Sequence, residues 1–460
     1  MHVKTNVVFV SLARNQSTFF QAVGALLQQY GHGIFHVCFH EGAVRDLRNA
    51  GCVVFSPYEN WPTNANVLEF EEFQIANPSL ILGHEKSAYE LSNTSDLIRK
   101  LKGHLAAMST IVDELIARGD SLLMVQELGG FTSVIAAYYA ARRRGVNHWF
   151  IEPSFFKGRV FFTENSFAAP QVPSVSSVPS SIVNKILDGM VESRALIIPT
   201  KDRLQYRGAV NKLLDSKNLR RLFEKLFAKY ICNEREEFQH IRGHVARHLR
   251  MFFNSRKLKS LYTELTKEED FIYYPLHVPS DFALTIRSPE YLDQYSLIDY
   301  LCRVAPLGYQ VVTKEHPALV GAISPSRIKE LCKLYDNFKI LPADMNNHEV
   351  LASANVVVTV NSKSGAEALL HGTPVVVLGD AFYKTCGKVH GIDALSELQS
   401  ALIKALDPSN AFKRDSVLPF FQAVWEESHC GDLYNNSVAN VKQFADSIAS
   451  CIARRTRNAN

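Results

Sequence analysis

The chain has 460 residues, is 47% hydrophobic and 21% charged, and carries a formal net charge of +4. It is too long for one ordinary core and too apolar for a disordered chain, so two domains are expected. No uninterrupted apolar run is long enough to cross a bilayer, and Met1-His2-Val3-Lys4-Thr5 leads straight into the strand-like Val7-Val8-Phe9-Val10 rather than a signal sequence, so a cytoplasmic location is expected. The eight cysteines (Cys38, Cys52, Cys232, Cys302, Cys332, Cys386, Cys430 and Cys451) form no Cys-x-x-Cys pair and no zinc spacing, which reads as reduced, mostly buried thiols.

The first fifty residues alternate strands and amphipathic helices: a strand over Asn6 to Ser11, a helix from Ser17 to Tyr30, strand Phe35 to Phe39, helix Ala43 to Ala50, strand Cys52 to Phe55. Such alternation predicts a parallel sheet wrapped by helices, an α/β fold. A later cycle runs from the strand Leu122 to Val125 through Gly129-Gly130 and a helix Thr132 to Arg144 to the strand Trp149 to Ile151. Glu127 and Glu152 therefore follow strand ends, where open parallel sheets bind ligands. Pro170 to Ser181, rich in Pro and Ser, reads as a loop.

Residues 201–260 hold 16 Lys/Arg against 6 Asp/Glu. The basic segment from Lys201 to Lys259 includes Arg220-Arg221, Lys225, Lys229, Arg247, Arg250 and Arg256-Lys257, with Leu222, Phe223, Leu226 and Phe227 at helical spacing. The aromatic positions are expected to face a core. The charges predict a docking face for an anionic membrane surface or an acidic glycan, placing the protein peripherally at the inner face of the cell membrane, with a plain solvated helical face as the alternative; no nucleic-acid-binding motif is present. A second alternating block follows in Phe271 to Tyr274, Tyr309 to Val312, Val356 to Val360 and Pro374 to Leu378, a second Rossmann-like lobe. Ser437 to Arg455 reads as a closing helix.

Two motifs in that block carry chemistry. Val312-Thr313-Lys314-Glu315-His316-Pro317 ends a buried strand in charges, an imidazole and a turn, so Lys314 and His316 can meet a phosphate. After the strand Val356 to Val360, Asn361-Ser362-Lys363-Ser364-Gly365-Ala366-Glu367 forms a hydroxyl-rich turn and a helix start, the geometry of an anion site. Ser362 and Ser364 offer hydroxyls to a nucleotide phosphate and Glu367 a carboxylate to ribose or base; a plain helix cap by Ser364 is the alternative.

Lys314-Glu315-His316-Pro317, followed by Val360-Asn361-Ser362, Gly365, Glu367-Ala368-Leu369, Gly372 and Pro374-Val375, resembles the bacterial capsule polysaccharide biosynthesis glycosyltransferases, the retaining beta-Kdo transferases that use CMP-Kdo. Pro275-Leu276-His277-Val278-Pro279-Ser280-Asp281 is similar to that family's Pro-Leu-Gln-x-x-x-Asp stretch, and Phe150-Ile151-Glu152-Pro153-Ser154-Phe155-Phe156-Lys157-Gly158 to its acidic, aromatic loop. The chain departs from the pattern at His277, in place of Gln, and at Pro153, in place of a second acid.

The resemblance implies a GT-B-like α/β architecture, two Rossmann-like lobes facing a central cleft. Residues 1–200 would form the acceptor lobe, 201–262 a basic helical connection, 263–400 the nucleotide-binding lobe, and 401–460 C-terminal helices packing back on the first lobe. It further implies Asp281 as nucleophile, Glu152 as acid/base, a nucleotide site of Lys314, His316, Pro317, Asn361, Ser362, Ser364 and Glu367, and sugar contacts from His277 and Lys157. Two carboxylates used in sequence would give retention. No Asp-x-Asp pair is present to hold a metal on a diphosphate, so metal-independent transfer without a cofactor is expected, from a CMP-sugar donor to a glycan or glycolipid acceptor. The alternatives are a transferase for a different nucleotide sugar and a non-catalytic capsule assembly or export partner. Glu127, outside the motifs, is expected to be structural.

Overall fold

A computed structural model describes residues 4–62, 68–89, 93–119, 121–173, 178–194, 216–238, 240–266 and 268–459. The expected boundary between residues 200 and 201, the segment from Lys201 through residue 215, and the side chains of Arg221 and Leu222 lie outside the described residues.

Strands β1 (Asn6–Ser11), β2 (Gly33–Cys38), β3 (Val54–Phe55), β4 (Leu122–Glu127), β5 (Asn147–Pro153) and β6 (Arg159–Glu164) build the first sheet. Strands β7 (Phe271–Pro275), β8 (Gln310–Lys314), β9 (Phe338–Leu341), β10 (Val356–Thr359), β11 (Val375–Val377) and β12 (Val389–Gly391) build the second, and β13 (His429–Cys430) returns to the first. The orders are β13-β6-β5-β4-β1-β2-β3 and β12-β11-β10-β7-β8-β9. The second sheet is parallel throughout, and its chain reverses direction of travel between β7 and β10. In the first, β6 and β13 alone run antiparallel to their neighbours among the described pairings. The molecule is therefore α/β with two Rossmann-like lobes.

Buried strands read as continuous apolar runs because both faces are covered. In β1, Val7 and Phe9 enter one core and Val8 and Val10 the other; in β7, Ile272 and Tyr274 separate in the same way from Phe271 and Tyr273. The first helix spans Arg14–Gln29, three residues earlier than the apolar pattern suggested, because its opening turn is polar.

Chain order and spatial order part company twice. Phe155, Phe156, Val183 and Leu187, the last two on the helix Ser181–Ser193, join a core of the second sheet with Phe420, Phe421 and Val424. The helix Val438–Ala459 crosses the other way: Val441, Phe444, Ile448 and Ile452 pack with Val7, Phe9 and Phe19 of the first lobe. Each such fully buried side chain contributes about 1.5–3 kcal/mol. Glu127 accepts hydrogen bonds from Gln16, at 2.9 Å, and from the Tyr434 hydroxyl, tying this crossing to the end of β4.

The helix Ser216–Tyr230 corrects the sequence reading. Phe223 is 68% and Phe227 49% exposed, and Leu226 and Tyr230 are exposed beside them. The periodicity located a face correctly, but no core covers it among the described residues. No helix is long and apolar enough to cross a membrane among the described residues.

Candidate active site at the lobe boundary

The carboxyl ends of β7, β8 and β10 lie side by side where the second sheet reverses, so the three motifs found far apart in sequence arrive together. From β7 the chain runs through His277 to Asp281, which caps the short helix Phe282–Thr285: its Oδ1 accepts the Ala283 N–H at 3.1 Å. Asp281 is exposed and lies within electrostatic reach of His277, His316, His84 and Arg287.

Burial pushes all three histidines down to about 4, with Asp281 opposing, so the rings are neutral at pH 7. His316 Nδ1 accepts from the Ala318 N–H at 3.2 Å, which places the ring proton on Nε2, a donor suited to a phosphate oxygen. His277 is held by Gln294, which accepts from its N–H at 2.7 Å and donates to its carbonyl at 3.1 Å. His84 comes from the first lobe, and sequence reasoning missed it. The Thr285 hydroxyl donates to the Asp281 carbonyl at 2.8 Å, so His84 Nδ1, 2.9 Å away, must donate to that hydroxyl. Gly130 lets the ring approach: a Cβ there would sit 2.4 Å from His84.

At the end of β8, Lys314 is 3% exposed and donates to the Ala343 carbonyl at 3.2 Å. Burial lowers it to about 8, against the pull of Asp344 and Glu367. Pro317 opens the turn behind His316. Glu315 faces away, accepting from Tyr262 at 2.5 Å and from the Gly321 N–H at 2.9 Å.

At the end of β10, Ser362 and not Ser364 caps the helix Lys363–Leu370, accepting from the Ser364 N–H at 3.2 Å. Asn361 donates to the Ala283 carbonyl at 2.6 Å, while its buried Oδ1 has no partner among the described residues. Ser364 and Glu367 both accept from Asn347, at 3.3 and 3.1 Å. Burial raises the Glu367 pKa, and at 4% exposure this carboxyl is turned inward. Gly365 is required for packing, since a Cβ would meet the Tyr383 hydroxyl at 2.3 Å.

Glu152 reaches this place from the first lobe. Arg287 grips it with two bonds, Nη1 to Oε2 at 3.1 Å and Nη2 to Oε1 at 2.5 Å, and also donates to the carbonyls of Phe167 and Ala168. Lys363 donates to the carbonyls of Pro153 and Ser154 at 3.0 and 2.7 Å, holding the same strand end from the other side. A cavity of about 670 Å³ opens beside Arg287 at the ends of β11 and β12. Lys157 is exposed in the β5–β6 turn, beyond Phe155 and Phe156, which pack on Phe421 and Trp425. Arg287 and Asn347 were also missed, because single polar residues outside any motif leave no local signal; Lys363 lies inside the Asn361 to Glu367 motif but had no role assigned to it there.

Fold and site define an α/β protein of two Rossmann-like lobes with a polar, carboxylate-bearing site where they meet. Residues 134–396, more than half of the chain, match the model of a family described as capsule polysaccharide biosynthesis protein. The chain belongs to that family. It is 31% identical over 150 residues to Protein FixF of Sinorhizobium fredii (strain NBRC 101917 / NGR234), a stretch covering 32% of this chain and 36% of that protein. The chain thus spans about a third of that curated relative. Among solved structures, it is similar to the beta Kdo 2,7 transferase of Thermosulfurimonas dismutans KpsC at 15% identity, covering 68% of this chain and 89% of that one with a TM-score of 0.31. It is likewise similar to the calicheamicin glycosyltransferase CalG4 at 12% identity, covering 98% and 99%, with a TM-score of 0.30.

Proposed function

We propose that the protein is a glycosyltransferase that moves Kdo or a related ulosonic acid from its CMP ester to a glycan or glycolipid acceptor with retention, in surface polysaccharide synthesis. The observation that carries this reading is that Arg287 grips Glu152, from the first lobe, in a two-bonded ion pair while Asp281, from the second, lies within its electrostatic reach. The Asp281 carboxylate attacks the anomeric carbon, and CMP departs with the electron pair of the broken bond. The acceptor hydroxyl then attacks the same carbon, its proton passes to Glu152, and Asp281 leaves as a carboxylate. Two inversions give retention. In this reading His316 Nε2–H, Lys314 and the helix start at Ser362 hold the one phosphate of CMP without a metal.

Calorimetry with CMP tests the nucleotide site. His316→Ala and Ser362→Ala are each expected to weaken binding about tenfold, the loss of one charge-assisted bond. Lys314, with a pKa of about 8, is a cation below that pH and neutral above it. Wild-type affinity therefore falls between pH 7 and pH 9, by up to about tenfold, while the neutral histidines contribute no change in that window. Unchanged affinity in both variants and across this pH range would sink the assignment.

The exposed stripe Phe223, Leu226, Phe227 and Tyr230, at i, i+3, i+4 and i+7, lies on a helix that also carries Arg220, Lys225 and Lys229. That pairing supports an anionic bilayer as the docking partner, apolar groups entering the interface and cations meeting headgroups. Phe223→Ser with Phe227→Ser, or neutralisation of the three cations, is expected to reduce binding to phosphatidylglycerol vesicles at least tenfold. Equal sedimentation of both variants with the vesicles would exclude it.

A further inference from the structure

Arg287 is 7% exposed at its side chain, yet it is among the residues that line the cavity beside β11 and β12, so a buried cation borders space that a ligand can fill. The cavity's other charged lining residues are Glu290, Asp293, Asp380, Lys384 and Asp393, four carboxylates against one amine. Lys384 is paired with Asp393 at 3.2 Å. An anion entering such a space is repelled by most of its wall and finds one buried cation, Arg287. Hydroxyl groups find the opposite: a wall of acceptors. The ligand chemistry that fits is a polyhydroxylated carboxylic acid, its carboxylate at Arg287 and its hydroxyls toward Asp380 and its neighbours.

Arg287 is already occupied by a carboxylate, that of Glu152, in a two-bonded pair. The Phe167 and Ala168 carbonyls hold the guanidinium from behind at 2.7 and 2.9 Å, so it keeps its orientation if Glu152 leaves. Carboxylate for carboxylate is an exchange that preserves fork geometry and charge.

We infer that Arg287 is the receptor for the carboxylate of the sugar itself, and that Glu152 holds its place until the donor arrives. Resting on the acidic-sugar reading above, this deepens it: donor binding releases Glu152, which then has both oxygens available for the acceptor's proton. Glu152 is masked while the site is empty and unmasked when it is loaded. Arg287 is thus a specificity-determining residue, and it couples donor binding to acid/base readiness.

The two halves of one ion pair should then behave oppositely. Calorimetry would use free Kdo as a carboxylate-only probe and CMP as a phosphate-only probe, with thermal melts confirming that each variant is folded. Glu152→Gln, which removes the competing charge while keeping the shape, is expected to bind Kdo at least tenfold more tightly than wild type. Arg287→Gln should lose detectable Kdo binding, and Arg287→Lys should fall between, retaining charge without the fork. CMP affinity should stay within about twofold in all three. Kdo affinity that is unchanged or weakened in Glu152→Gln would make the pair purely structural and overturn the proposal. So would CMP following the pattern expected of Kdo, since Arg287 would then receive the phosphate. Failure of wild type to bind CMP would instead count against the nucleotide reading alone, because the Kdo arm still decides the receptor.

Discussion

Asp281→Asn is expected to lower transfer by on the order of 10⁴–10⁶-fold, the range for removing a nucleophile, while CMP affinity changes little. Asn is the informative replacement. Asp281 also caps the helix Phe282–Thr285 through Oδ1, and Asn keeps that cap, whereas Ala adds about 0.5–2 kcal/mol of destabilisation from the lost cap. Glu152→Gln fails at a later step, because its role begins once the sugar has moved onto Asp281. Supplied with donor, this variant should accumulate a sugar–enzyme ester that intact-protein mass spectrometry detects and peptide mapping places on Asp281. The adduct's mass identifies the sugar. Full activity of Asp281→Asn, or a product of inverted configuration, would defeat the double displacement.

Lys100→Met should destabilise the first lobe by about 3–5 kcal/mol, a loss read in urea melts. Lys100 donates to both oxygens of Glu85, each at 3.1 Å, and to Glu237 at 2.7 Å, and both carboxyls are fully buried. Glu85 also accepts the Thr132 N–H at 2.8 Å and the Thr132 hydroxyl at 2.7 Å, filling the start of the helix Thr132–Arg143. Removing the amine strands a buried charge at that helix. Glu237 divides the cost differently: burial raises it to about 8, against the pull of Lys100, and its second oxygen accepts no hydrogen bond among the described residues, with His104 Nε2 3.8 Å away. A carboxyl with a raised folded-state pKa contributes stability that is fully present below its unfolded value and lost as pH rises through about 8. Glu237→Gln should therefore match wild type near pH 5 and exceed it at pH 9. A pH-independent difference between the two would contradict this assignment.

Much of the fold was legible because parallel strands buried on both faces leave uninterrupted apolar runs. Phe271 to Tyr274, Val356 to Val360 and Pro374 to Leu378 could each be placed from such runs alone. The short strands β12 and β13 were not, since two or three residues carry too little pattern. The candidate site was legible where a motif sits on a strand end: Asp281, Lys314, His316, Asn361 and Ser362 all arrive at one edge of the second sheet.

The sequence by itself determined the two α/β lobes, the family's motifs and the edge of the second sheet on which they fall, because strand periodicity and strand-end chemistry are local. Only the tertiary structure decided the partners. Arg287 meets Glu152 across 135 positions, His84 meets Thr285 across 201, and Lys100 meets Glu237 across 137. It also decided that Phe223 and Phe227 face outward. Amphipathic spacing reports that a face exists, but what covers that face, and which buried charge answers which, depends on contacts between segments whose separation in the chain leaves no trace in either one.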